Sequence, residues 1–366
     1  MTKRERVIRT IQGKPCDVFP HHSDLTYATM EKLSVYYQVP VAAVEDRIGN
    51  HLHYINYSPP MADDQFSGKM TDSGTFSAGG KSDNRGYVMD EWGVTWDNLG
   101  HREIGDWGMI DHPVKDLDFT GYVFPKGNIP GRFRNLEEDL KKRPGSFKTL
   151  IMVGLLDSAA HVTGLQDCLL AMADSDRTVI NHLLDNTLEF MLGVLEAVPE
   201  GAFDGVRFVE DWGVQKGLLM GIDNWRRHLK PRLERLYQAA RDKGLYIHSH
   251  SCGDNFELYP EMVELGIDIS DPVQPEVMDI QKVKDQFGKS LTFMGALPCQ
   301  SLLPLGTPEE VREITEKTIS IMTPGGRYIL GGAGSFPTET PVENIDAIVE
   351  VYREYCKKAN AAVFDS

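Results

Sequence analysis

The stretch Gly244-Leu-Tyr-Ile-His-Ser-His-Ser-Cys-Gly-Asp254 follows a long amphipathic segment that stops at Gly244, and it turns at Gly253 into another helical pattern. A short apolar run between two helices is how a parallel β-strand is written. Side chains alternate along a strand, so Tyr246, His248, His250 and Cys252 share one face, and Leu245, Ile247, Ser249 and Ser251 the other. A strand buried for packing alone carries Val, Ile or Leu at such positions. Two imidazoles and a thiol facing one way at a strand's carboxyl end suit a metal or catalytic site; core histidines bonded to neighbouring carbonyls are the alternative.

The same grammar repeats on both sides of this stretch. Apolar strand-like runs recur at 149–155, 205–209, 244–250, 267–273, 291–297 and 328–331, separated by amphipathic helix patterns. Upstream, Val18-Phe19-Pro20 leads into His21-His22-Ser23-Asp24, and Gly49-Asn50-His51-Leu52-His53-Tyr54-Ile55 reads as a second early strand with His51 and His53 on one face. Helices are expected at 27–37, 41–47 and 135–142. Capping boxes are expected at Thr2/Glu5, and, with Pro at the first helical position, at Thr307-Pro-Glu-Glu310 and Thr340-Pro-Val-Glu343. Parallel strands alternating with helices predict an α/β protein, a (β/α)8 TIM barrel whose chemistry sits at the carboxyl ends of its strands. A doubly wound sheet is the alternative, but no glycine-rich phosphate loop follows a strand. Residues 58–147 are rich in Gly, Asp, Ser and Pro and read as a long elaboration of one connection within a single domain spanning 1–366.

Composition limits the partners. The formal charge of −16 on 366 residues repels nucleic acid, anionic membranes and polycarboxylate substrates, while 41% hydrophobic residues supply a sizeable core. Cys16, Cys168, Cys252, Cys299 and Cys356 are odd in number and scattered, which suits a reducing compartment. With a charged first turn and no apolar run of membrane length, the expectation is a cytoplasmic protein.

On a barrel, one rim would gather His21, His22 and Asp24, His51 and His53, Asp157, Glu210 and Asp211, His250 and Cys252, Asp271 and Gln274, Cys299, and Glu339. His250 and Cys252, two apart on a strand, can reach one zinc ion. A carboxylate from an adjacent strand, such as Glu210, would complete three protein ligands with one position open.

The segments Glu210-Asp-Trp-Gly-Val-Gln215, His250-Ser-Cys-Gly-Asp254, Asp271-Pro-Val-Gln-Pro275, Met294-Gly295, Leu303-Pro-Leu-Gly-Thr-Pro-Glu-Glu-Val311 and Pro341-Val-Glu-Asn344 resemble the uroporphyrinogen decarboxylase superfamily over nearly the whole chain. Within it the chain is more similar to the corrinoid-dependent methyltransferase branch. The decarboxylase has an arginine-rich N-terminal motif that grips propionates, whereas here Arg4, Arg6 and Arg9 lie on a helix and the next arginine is Arg47.

The resemblance implies a His-x-Cys zinc pair, matched by His250 and Cys252, and a later cysteine that this chain replaces with Ala333 in Gly331-Gly-Ala-Gly-Ser335. Glu210 is the expected third ligand, with Cys299 and Glu339 as the other choices. Asp90-Glu-Trp-Gly-Val94 resembles members that demethylate methoxylated aromatics. The activity so implied moves a methyl group from a small methyl donor to cob(I)alamin. Since no Asp-x-His-x-x-Gly motif occurs here, that cobalamin would be carried by a separate corrinoid protein. Transfer from a methylcorrinoid to a thiol or tetrahydrofolate, and porphyrinogen decarboxylation, are the alternatives. In this reading Glu210, Asp211 and His248 are catalytic; His21, His53, Tyr54, Trp92, Trp212 and Gln274 contact substrate; and the chain is a candidate homodimer.

Overall fold

A computed structural model of the protein describes residues 1–59, 87–97 and 108–364. Its strands are β1 (Leu52–Asn56), β2 (Tyr87–Met89), β3 (Thr95–Asp97), β4 (Gly108–Asp111), β5 (Phe147–Val153), β6 (Gly205–Val209), β7 (Gly213–Val214), β8 (Gly217–Leu218), β9 (Tyr246–His250), β10 (Ile269–Val273), β11 (Thr292–Leu297) and β12 (Tyr328–Gly332). Seven of them form one parallel sheet in the order β1-β5-β6-β9-β10-β11-β12, with helices between successive strands.

The sheet curls until its edges share one short segment. His22 N donates to Leu330 O (2.8 Å), Leu330 N to Pro20 O (2.9 Å), and His51 N to His21 O (2.9 Å). These bonds place residues 20–22 between β12 and β1 and close the ring, which removes the doubly wound alternative. The early strand expected at 18–20 is only an isolated bridge, His21 with Leu330. Pro20 supplies a carbonyl but has no N–H to extend the ladder.

The two ends of the ring differ. At the amino ends of the strands, Leu52, Phe147, Ile269, Met294 and Ile329 pack with Val7 and Ile11 of the helix Lys3–Ile11. That helix therefore plugs one end with an apolar face. Alternation sends Val206, Phe208 and Ile247 outward into the core beneath the helices. It turns Arg207, His248 and His250 inward, so polar groups collect toward the other end.

The helices obey their signals with one exception. Tyr27–Tyr37 starts on a Thr26 cap, and the Thr2/Glu5 and Thr307/Glu310 capping boxes are present. The box expected at Thr340 does not form: the helix begins at Val342 without a side-chain cap, and Thr340 Oγ1 is buried without a partner. β2 and β3 pair antiparallel, with β4 added beyond β3. The rest of the elaboration expected over 58–147 falls partly on 60–86 and 98–107, outside the described residues.

Candidate metal centre at the barrel mouth

β9 delivers His250 at its last position, and the chain leaves it through Ser251 and Cys252 into a tightly held turn. Gly253 has φ +84°, and a Cβ there would lie 2.3 Å from the carbonyl carbon of Gly213, so only glycine lets the two loops meet. Gly253 N donates to Gln274 Oε1 (2.8 Å), and Asn255 Nδ2 donates to Ser251 O (2.7 Å). The turn that carries Cys252 is thus fixed from two sides. Cys252 Sγ lies 3.7 Å from His250 Nε2, and Cys252 N donates to Asp211 Oδ1 (2.9 Å).

Asp211, His250 and Cys252 each offer a ligand atom, all within 4.8 Å of one another. Imidazole, thiolate and carboxylate form a donor set that suits zinc. The far side of the imidazole is arranged as metal-binding histidines usually are: His250 Nδ1 faces Asp271 Oδ1, which leaves Nε2 toward the cluster. Arg207 Nη2 also stands 2.8 Å from this Nδ1. The carboxylate sets the tautomer, because a bare nitrogen against a carboxylate oxygen is repulsive. Burial would lower the His250 pKa, but the adjacent Asp271 charge holds it well above the usual range.

Asp271 is the hub of this region. Its oxygens face His248 Nε2 and His250 Nδ1, and it accepts from Arg207 Nη2 (3.0 Å). Arg207 in turn donates through Nη1 to Asp24 Oδ2 (3.0 Å) and lies 4.8 Å over the Tyr54 ring. Arg207 and the role of Asp271 escaped the sequence reading. A signal was present: Arg207 interrupts the apolar run Gly205–Val209 at an inward position, opposite in phase to Val206 and Phe208.

The structure does not bring Glu210 to the cluster. Its two oxygens accept from Leu155 N (2.9 Å), Leu156 N (3.0 Å) and Trp212 Nε1 (2.8 Å), so it caps the helix Leu155–Thr163. Gly154 makes room for it, since a Cβ there would lie 1.5 Å from Glu210 Cγ. Burial pushes the Glu210 carboxyl up to about 7 against these donors. The carboxylate beside His250 and Cys252 is that of its exposed neighbour Asp211. Asp157 lies close by, pushed up to about 8 by burial and then by the charges of Glu210 and Asp211.

Glu210→Gln is therefore expected to lower stability by about 1–2 kcal/mol, because an amide has one acceptor oxygen for three donors. Metal content should stay at the wild-type level. Denaturant melts and elemental analysis of the same sample check this, and lost metal with intact stability would return Glu210 to the ligand set.

Other expected site residues have other duties. His21 bonds to Ser23 Oγ (2.9 Å) and packs 5.0 Å from the Tyr352 ring, on the helix side of the ring. His53 Nε2 is bonded to Asp139 O (3.1 Å), also outside the barrel. Trp212 is fully buried, its ring 5.5 Å from Trp225, and Trp92 packs 4.6 Å from Phe190; both are core contacts. The Gln274 carbonyl supports the Cys252 turn. Tyr54 does line the interior. His248 faces the barrel interior beside Asp271, and burial lowers its pKa despite that carboxylate. Cys299 lies outside the three-residue cluster and is buried beside Gly334 O (3.6 Å), where burial pushes its thiol up; Glu339 is exposed and likewise outside it.

The model of the uroporphyrinogen decarboxylase family (URO-D) matches residues 159–355, more than half of the chain. The chain belongs to the uroporphyrinogen decarboxylase family. The matched span includes β6, β9 and the turn bearing Cys252. The chain is also 24% identical over 261 residues to a methylated-thiol–coenzyme M methyltransferase of Methanosarcina mazei, covering 68% of this chain and 67% of that relative. A solved methyltransferase from Methanosarcina mazei superposes with a TM-score of 0.68 at 19% identity, covering 97% of this chain and 99% of the other. This second likeness shows that the two chains share a fold. No helix among the described residues is long and apolar enough to cross a membrane.

Proposed function

We propose that this chain, as a single unit over 1–366, is a zinc-dependent methyltransferase that moves a methyl group from a small donor to a separate corrinoid protein. The observation that carries this reading is the Asp211, His250 and Cys252 donor set at the mouth of a barrel of this family. The likeness to a methyltransferase supports it. Zinc held by these three residues would supply a Lewis acid that draws charge from the leaving heteroatom.

The chain's own contribution is geometric. Asp271 orients His250, Gln274 and Asn255 fix the turn of Cys252, and Asp211 is tied to that turn by its bond from Cys252 N. The corrinoid partner would supply the nucleophile that accepts the methyl group as the bond from its carbon to oxygen or sulfur breaks. The electron pair stays on the heteroatom, so a phenolate or thiolate must be stabilised. A carboxylate among the ligands makes the site harder than one with a second thiolate, which favours an ether oxygen and a methoxylated aromatic donor. The name of the Methanosarcina relative favours a methylated thiol as the second reading.

The test combines the zinc-loaded protein with a corrinoid protein reduced to the cob(I)alamin state and offers methoxyphenols or methyl thioethers in parallel. Loss of the cob(I)alamin absorbance with matching release of phenol or thiol is expected for one donor class. A fully zinc-loaded protein that demethylates neither class would sink the proposal, and carbon dioxide release from a porphyrinogen would replace it with decarboxylation.

A further inference from the structure

Away from the metal cluster, at the amino ends of the strands, a cavity of about 800 Å³ opens beside the helix Lys3–Ile11. Its walls are the segment 10–19 that leaves this helix, the turn 323–328 that leads into β12, and the end of the helix Val342–Lys358. Such a volume falls within the range of about 300–1,000 Å³ that small-molecule sites occupy. Three cationic residues line it: Lys14, Arg327 and Lys358. Among the described residues none of the three is ion-paired. Arg327 Nη1 donates to Ile11 O, which leaves Nε and Nη2 without an acceptor, and Lys358 Nζ stands 5.3 Å from the centre of the Tyr355 ring. The one carboxylate in the lining, Asp17, is held by Arg6 through Nε (2.8 Å) and Nη2 (2.9 Å). On a chain of formal charge −16, an uncompensated cationic cavity is the place where an anion is drawn in rather than repelled.

The turn is shaped to hold Arg327 there. Gly325 and Gly326 have φ +76° and +73°, and a Cβ on either meets nothing within 4 Å, so conformation and not crowding calls for glycine. Arg327 follows at φ +53°, which a residue with a Cβ rarely adopts. Its guanidinium ends against Gly13, where a Cβ would lie 3.0 Å from Nε. Lys284 Nζ donates to Gly326 O, so further positive charge stands beside the turn. Another wall is aromatic. Phe19 and Tyr355 are half-buried and pack edge to face with centroids 5.4 Å apart, which offers a planar group a surface to stack on. A monocarboxylate brings one negative charge and leaves two of the three cations unmatched, whereas a diphosphate ester brings about three near neutral pH. Its oxygens also suit the two remaining donor atoms of the guanidinium.

We infer that this cavity binds a nucleoside diphosphate, with the phosphates among Lys14, Arg327 and Lys358 and the base against Phe19 and Tyr355. The site is separate from the metal cluster and does not depend on the methyl-transfer reading. Calorimetric titration of the full-length protein with ADP, adenosine and inorganic diphosphate tests it. ADP is expected to bind at least about tenfold more tightly than either fragment, since each fragment makes only part of the contacts. Lys358→Gln and Arg327→Gln should each weaken ADP binding by about tenfold, the worth of one charge-assisted hydrogen bond. Lys358 is exposed, so its variant keeps the fold. Iodoacetamide labelling of the metal-free protein, read by peptide mass mapping, locates the ligand, because Cys16 lines this cavity and Cys252 belongs to the metal cluster. ADP should slow the modification of Cys16 and leave that of Cys252 unchanged. Adenosine or diphosphate binding as tightly as ADP, no binding of ADP, unchanged affinity in both variants, or protection of Cys252 in place of Cys16 would overturn the inference.

Discussion

Replacing Cys252 with alanine is expected to strip the protein of zinc while leaving it folded. Cys252 is half-buried, and among the described residues the hydrogen-bond partner of its thiol is His250 Nε2 at 3.7 Å. Its backbone bonds to Asp211 and Asn255 persist in the variant. The stability change should therefore stay near the surface-substitution range of about ±0.5 kcal/mol. Metal affinity should fall by more than the roughly 10–100-fold that follows loss of an outer hydrogen-bond partner, because a ligand itself is gone. His250→Ala should behave alike, and Asp211→Asn should weaken binding less, since an amide oxygen can still approach a metal. Chelator competition on the three variants, beside circular dichroism melts, reads both quantities. Wild-type zinc affinity in Cys252→Ala would remove the metal centre from the proposed function.

The difference between what could and could not be read beforehand follows from range. Alternation along β9 is local, so the common face of His248 and His250, with Cys252 just past the strand, was legible from spacing alone. Strand positions were legible for the same reason: 205–209 is reproduced, and 267–273 and 291–297 lose only one or two residues at their starts. The third member of the cluster was not legible. Glu210 and Asp211 are consecutive acids just past the end of β6, and which of them faces His250 depends on a helix start 55 residues upstream that claims Glu210. His21 and His53 fell to the helix side because the sheet's inside and outside exchange with a one-residue change of phase. At the closing segment Pro20 suppresses the pairing that would have revealed its register. Arg207 was overlooked because one charge in an apolar run reads as an exception, whereas on this strand it marks the face toward the barrel axis.

Asp271→Asn is expected to have the largest combined effect on stability and on the metal. The carboxylate is 3% exposed and faces three partners: Arg207, His248 Nε2 and His250 Nδ1. Burial alone would raise its pKa, but the charges of Arg207 and His250 hold it well below the usual carboxylate range. An asparagine has a single acceptor oxygen and turns N–H groups toward donors, so Arg207 keeps only Asp24 and one imidazole loses its partner. Breaking one side of a buried ion pair costs about 3–5 kcal/mol, most of it from the cation left behind. The freed His250 ring no longer has its Nδ1 tautomer fixed, and zinc affinity should fall by about 10–100-fold even below the variant's melting temperature. These two losses separate the explanations. A merely structural Asp271 would reduce the denaturation midpoint and leave zinc affinity of the folded variant at the wild-type value. A positioning Asp271 moves both, and Asp24→Asn, which touches Arg207 but neither imidazole, should lower stability while sparing the metal.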